Sequence, residues 1–175
     1  MVFYDGSTET EDVYKFGFIG LYKRNHKTLN MFSNHETVFS LAGTLVLPMW
    51  LLLVIAPYWK FTQFLIRYKI IPLILSVLYA IYLSLAIQGG SGLDFGSLAA
   101  VMELFTIKDA LLAGWIHYLA FDLLIGMWMV TKNRELKIHP ILMAPCLATT
   151  FMMGPVGFLL FSIIQSIKSR TNESS

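Results

Sequence analysis

The chain has 175 residues, 56% of them hydrophobic and 14% charged, with a net charge of +2 and a mean hydropathy of +0.63. So large an apolar share exceeds what a soluble domain of this size can bury, which leaves integral membrane protein as the class. The small, scattered charge gives no footprint for nucleic acid, and the single cysteine, Cys146, excludes an internal disulfide framework.

Residues 1–35 read as a polar and aromatic N-terminal arm. Asp5, Glu9, Glu11 and Asp12 lead; Val13, Tyr14, Phe16, Phe18, Ile19, Leu21 and Tyr22 follow, interrupted by Gly17 and Gly20; Lys23, Arg24 and Lys27 close the run. Acids stand where a secretory signal has its basic region and apolar core, and the stretch is not an acid-poor, Arg-rich transit peptide. The segment 13–27 is too short and too Gly-broken to make its own core. It is expected to lie on a surface or to dock on other membrane subunits.

The first span is expected over 36–56, capped by Ser33 or Asn34 with Glu36 completing a capping box, and kinked at Pro48. Residues 57–69 carry Tyr58, Trp59, Lys60, Arg67, Tyr68 and Lys69, the composition of an interfacial connection. A second span covers 70–88, with a proline in its first turn, and ends at Gly89-Gly90-Ser91-Gly92. Phe95, Leu98, Met102 and Phe105 then recur at helical spacing, which predicts a short interfacial helix over 95–106.

The third span is expected over 109–130 and the fourth over 140–168, followed by a polar tail at 169–175. The fourth contains Pro145 and the run Gly154-Pro155-Val156-Gly157. A bend is expected at Gly154 and Pro155, and a close helix–helix contact at Gly157. The fold class is therefore an all-α integral membrane protein: a four-helix transmembrane domain over 36–168 plus a short interfacial helix. Four straight crossings put both termini on one side. Lysine and arginine then split seven against six between the two sides, so the positive-inside rule gives no orientation.

Two ionisable residues stand mid-span on the third helix, His117 and Asp122. A carboxylate at that depth costs at least about 2.5 kcal/mol and marks a buried partner or a pathway. Asp122 shares a face with Tyr118, Trp115 and Met129, whereas His117 lies about 140° round the helix. No lysine or arginine occurs at this depth in another span. Three outcomes stay open for Asp122: a neutral acid favoured by loss of water, acceptance from Tyr79, Tyr82, Thr149 or Thr150, or a cation from a partner subunit. His26, His35 and His139 fall on the arm or at span ends, so a bis-histidine haem has no second ligand. No metal spacing, nucleophile elbow or phosphate loop occurs, so no catalytic residue, metal or cofactor is assigned. The candidate buried polar site is His117, Asp122, Trp115 and Tyr118, and the candidate packing and kink positions are Gly154, Pro155 and Gly157.

The runs FSLAGTLVLPMWLLLVIAP at 39–57, IPLILSVLYAIYL at 71–83, LLAGWIHYLAFDLLIG at 111–126 and MGPVGFLLF at 153–161 resemble the spans of the abscisic-acid-deficient-four-like family. The resemblance covers roughly residues 36–168. Its most specific parts are Trp115-Ile116-His117, Phe121-Asp122-Leu123 and the Gly-Pro-Val-Gly run. It implies a small four-span protein, with plant members needed for the violaxanthin-to-neoxanthin step. Many members have an arginine about five residues after the aspartate, where this chain has Met127, and plastid members carry a transit peptide. These departures lead us to expect an accessory subunit of a larger membrane complex, touching membrane lipids and binding a lipid or carotenoid at most. Carotenoid biosynthesis is the alternative. The expected location is an organelle membrane, with the mitochondrial inner membrane preferred to the plastid.

Overall fold

A helix start needs an acceptor for its free backbone N–H groups, and Asn34 supplies one. The Thr37 N–H donates to Asn34 Oδ1 at 3.4 Å, and α1 runs from His35–Ile55. With Asn34 as the cap, Glu36 is the second helical residue and sits one place short of a capping box. The computed structural model describes residues 34–89 and 92–173. The arm over 1–33, with the docking expectation for 13–27, lies outside the described residues. The chain divides into two compact units, 1–38 and 39–175, and the second holds all the helices except the first turn of α1.

α1 passes Pro48 without leaving helical geometry, so the proline does not break it. The stretch read as a plain connection contains a nine-residue helix, α2 (Lys60–Tyr68). Its apolar and polar residues alternate with helical period, burying Thr62 and Leu65 while the rings of Phe61, Phe64 and Tyr68 stay exposed. Lys69, in the left-handed conformation at φ 49°, joins α2 to α3 (Ile70–Gln88). A short helix, α4 (Leu98–Leu104), begins at Ser97, whose hydroxyl accepts from the Ala100 N–H at 3.1 Å. Leu98 and Met102 are exposed on it, with Phe95 exposed just before it, the apolar face expected of an interfacial helix.

α5 (Lys108–Leu136) is the central helix. Half of its most apolar window is buried, against 22–33% for the other three long helices. It extends about six residues past the expected end at Val130, because Asn133 is buried and ties off the following turn. Asn133 Oδ1 accepts from the Ile138 N–H at 2.8 Å, and its amide donates to Ile138 O at 3.2 Å and Tyr58 Oη at 3.3 Å. Helix continues to Glu173 in α6 (Pro140–Glu173), past the expected end at 168. Among the described residues four helical stretches, of 21, 29 (α2 with α3), 29 and 30 residues, are long and apolar enough to cross a membrane. The all-helical class, with four helical stretches long and apolar enough to span, is borne out.

Within that class α6 is broken at Met153 (φ −146°, ψ 51°), beside the predicted Gly154-Pro155. The break is sharper than a kink. In a straight helix Thr150 and Gly157, seven residues apart, lie about 10 Å from one another. Here a Cβ on Gly157 would come within 2.5 Å of Thr150 Cα. Beyond the break, the rings of Phe158 and Phe161 lie 5.8 and 5.6 Å from Trp128. Gly154 touches Asp122, so a straight continuation would carry Phe161 past Ile116, away from Trp128. The second arm of α6 therefore doubles back along α5. Gly157 makes its close contact with its own helix, one arm against the other, and not with a neighbouring helix as expected.

Candidate functional site: a carboxyl seated in the break of the last helix

Breaking a helix inside a membrane frees carbonyl groups that lipid cannot satisfy. Pro155 has no N–H to offer the carbonyl of Phe151, and the turn at Met153 releases the carbonyl of Met152. Tyr118, on the facing turn of α5, donates its hydroxyl to Met152 O at 3.1 Å. One turn along α5, Asp122 enters the same joint. Its carboxyl rests on Gly154: a Cβ at that position would lie 2.7 Å from Asp122 Cγ and closer still to Oδ1. Only a residue without a side chain leaves this space.

The Asp122 carboxyl lies one turn from Tyr118 on the same face of α5. Its Oδ2 is buried and meets no hydrogen-bond partner among the described residues. Of the partners considered from sequence, Thr150 is engaged elsewhere, donating to Cys146 O at 2.7 Å and touching Met129 Sδ at 3.5 Å. Tyr79 instead packs on His117, at 5.4 Å between ring centroids. Asp122 is thus seated against a glycine of α6, beside a tyrosine of its own helix.

The other predicted residues divide into two groups. Trp115 stacks on Tyr118 at 5.7 Å and on Phe39 of α1 at 5.0 Å, so it belongs to the same face as Asp122. His117 points elsewhere, with its ring 4.4 Å from Phe121 and facing Tyr79 on α3. The structure brings Tyr118, Asp122, Gly154 and Trp115 together and leaves His117 out. No group of His, Cys, Asp or Glu among the described residues could hold a metal ion.

Gly126 is the residue that sequence reasoning missed. A Cβ there would lie 2.7 Å from Trp50 Cη2, so this glycine admits the α1 indole, which itself stacks on Phe151 just before the break. The spacing Tyr118, Asp122, Gly126 is a four-residue stripe on one helical face. That stripe was the available signal.

The profile of a family described as ABA DEFICIENT 4-like matches residues 37–161. No curated protein and no solved structure matches the chain.

Proposed function

Because the chain belongs to the ABA DEFICIENT 4-like family, we propose that it is a non-enzymatic accessory subunit of a larger membrane assembly in an organelle membrane, with the mitochondrial inner membrane preferred to the plastid. One observation carries this reading: the mid-span polar groups are engaged in architecture, and His117, expected in a buried site, is exposed. Asp122 is seated against Gly154 and Tyr118 covers the carbonyl freed by the break, while His117 is held between aromatic rings. An acid–base or ligand site needs such groups to converge on open space. Three clefts among the described residues open at other positions. Met127, buried where the resemblance places an arginine, supports the same reading.

Extraction in mild detergent followed by native electrophoresis tests it. The 19.9 kDa chain should migrate within a much larger complex. Migration as a single chain with its detergent would overturn the proposal.

A second reading rests on a groove of about 440 Å³ between α1 and the α2–α3 corner, walled by Leu41, Pro48, Met49, Leu52, Phe61 and Leu65. Its apolar walls suit an isoprenoid chain, as carotenoid biosynthesis at the violaxanthin-to-neoxanthin step would need. That reading requires the purified protein to carry pigment, or its loss to change the violaxanthin-to-neoxanthin ratio.

A further inference from the structure

Six cations of the described residues gather at one end of the helices. Lys60, Arg67 and Lys69 lie on or beside α2, and Lys132, Arg134 and Lys137 lie in and after the last turn of α5. Three of them, Arg67, Lys69 and Arg134, line one cleft of about 580 Å³ between α2 and α5. No carboxylate lines it, and none of the three is paired with one among the described residues. Arg67 lies over the Tyr68 ring at 5.9 Å, and Arg134 donates to Gln63 of α2. These contacts hold both guanidinium groups at the rim without neutralising either.

The deeper wall of the cleft is different. Leu124, Met127 and Trp128 of α5 continue it below the cations. Leu124 lies ten residues before Arg134, about 15 Å along the helix axis and well inside a hydrocarbon layer. Trp128 stands between the two zones. A cationic rim over an apolar wall matches a molecule with an anionic head and hydrocarbon tails. Guanidinium groups bind phosphate oxygens through paired N–H bonds, and basic pockets at membrane interfaces recognise anionic headgroups.

Lys69 adds a second observation. It holds φ 49°, a conformation that costs a side-chain-bearing residue stability, yet it carries a lysine into the cleft where glycine would relieve the strain.

We propose that the α2–α5 cleft binds an anionic phospholipid, its phosphate held by Arg67, Lys69 and Arg134 and an acyl chain lying along Leu124 and Trp128. Free phosphate has the same head chemistry but leaves the apolar wall unused, so the two sources can be separated.

The test uses the full chain in nanodiscs of phosphatidylcholine with graded phosphatidylglycerol, and native mass spectrometry counts retained lipids. The wild type should retain phosphatidylglycerol selectively. Arg67→Gln and Lys69→Gln should each weaken retention about five-fold, the effect of one interfacial cation. Lys60→Gln removes the same charge from α2 outside the cleft and should change retention by less than about two-fold. Arg67→Lys should retain most of the binding, and equal melting temperatures certify that the variants are folded. Equal loss in Lys60→Gln would reduce the effect to general surface charge and overturn the site. Inorganic phosphate, titrated by phosphorus NMR, should fail to displace the lipid. Displacement by phosphate as effective as by phosphatidylglycerol would overturn the lipid assignment.

Discussion

A methyl group on Gly154 would have to occupy the space held by the Asp122 carboxyl, and the two cannot share it. Gly154→Ala should therefore destabilise the protein by about 1–3 kcal/mol, the usual range for overpacking. Adding Asp122→Ala should recover most of that loss, a coupling readable as a non-additive melting shift in the double variant. The same partner change should not rescue Gly157→Ala, whose methyl meets the Thr150 backbone. Asp122→Asn keeps the shape of the carboxyl and should melt close to the parent. Asp122→Leu, wider at the γ carbon, should lose about 1–3 kcal/mol against the same glycine. A drop in melting temperature for Asp122→Asn as large as for Asp122→Leu would show that the charge itself matters. That Asp122 faces protein was legible in the sequence, because lipid exposure at mid-depth is the costliest option. The seat was not. Sequence shows which hydroxyls could donate, whereas space left by a missing side chain shows only when two helices are placed together.

Elements obeyed the hydrophobic pattern where it was long, and departed from it where a few polar side chains decided the outcome. α3 was legible because nineteen residues of uniform apolarity admit one reading. α2 was not: in nine residues with a lysine, an arginine and several aromatics, the belt composition masked an amphipathic period. The end of α5 was hidden for another reason. Lys132, Asn133, Arg134 and Glu135 look like a loop, yet buried Asn133 satisfies the turn and keeps the helix going to Leu136. The turn after it holds Lys137 at φ 51° and ψ 41°, in the left-handed region where glycine is the usual cap. Lys137→Gly should raise stability by about 0.5–1 kcal/mol, once glycine's greater freedom in the unfolded chain is subtracted. A rise in melting temperature without change in helix content is the expected readout. A fall would mean that the Lys137 side chain contributes more than its backbone costs.

At the scale of the molecule, the doubling back of α6 changes where its end lies. From Gly154 at Asp122, the second arm passes Phe158 and Phe161 at Trp128, and Lys168 comes about 10 Å further on. That places Lys168 level with the last turn of α5, beside the cations already there. Among the described residues this moves Lys168 from the side of Lys108 to the opposite one. Lys108 stays at one end; Lys60, Arg67, Lys69, Lys132, Arg134, Lys137 and Lys168 gather at the other. Sequence could not give this, because a glycine and a proline in a long apolar run announce a break without its angle. Single cysteines at Thr106, Lys137 and Lys168, placed in a Cys146→Ala background, separate the two arrangements. With a membrane-impermeant maleimide applied from one side of sealed vesicles, Lys137→Cys and Lys168→Cys should label together, and Thr106→Cys should label only from the other side. Labelling of Lys168→Cys together with Thr106→Cys would mean that α6 crosses the membrane in the native bilayer. The packing of Phe161 on Trp128 would then have to be abandoned, and with it the place of Lys168 beside the other cations.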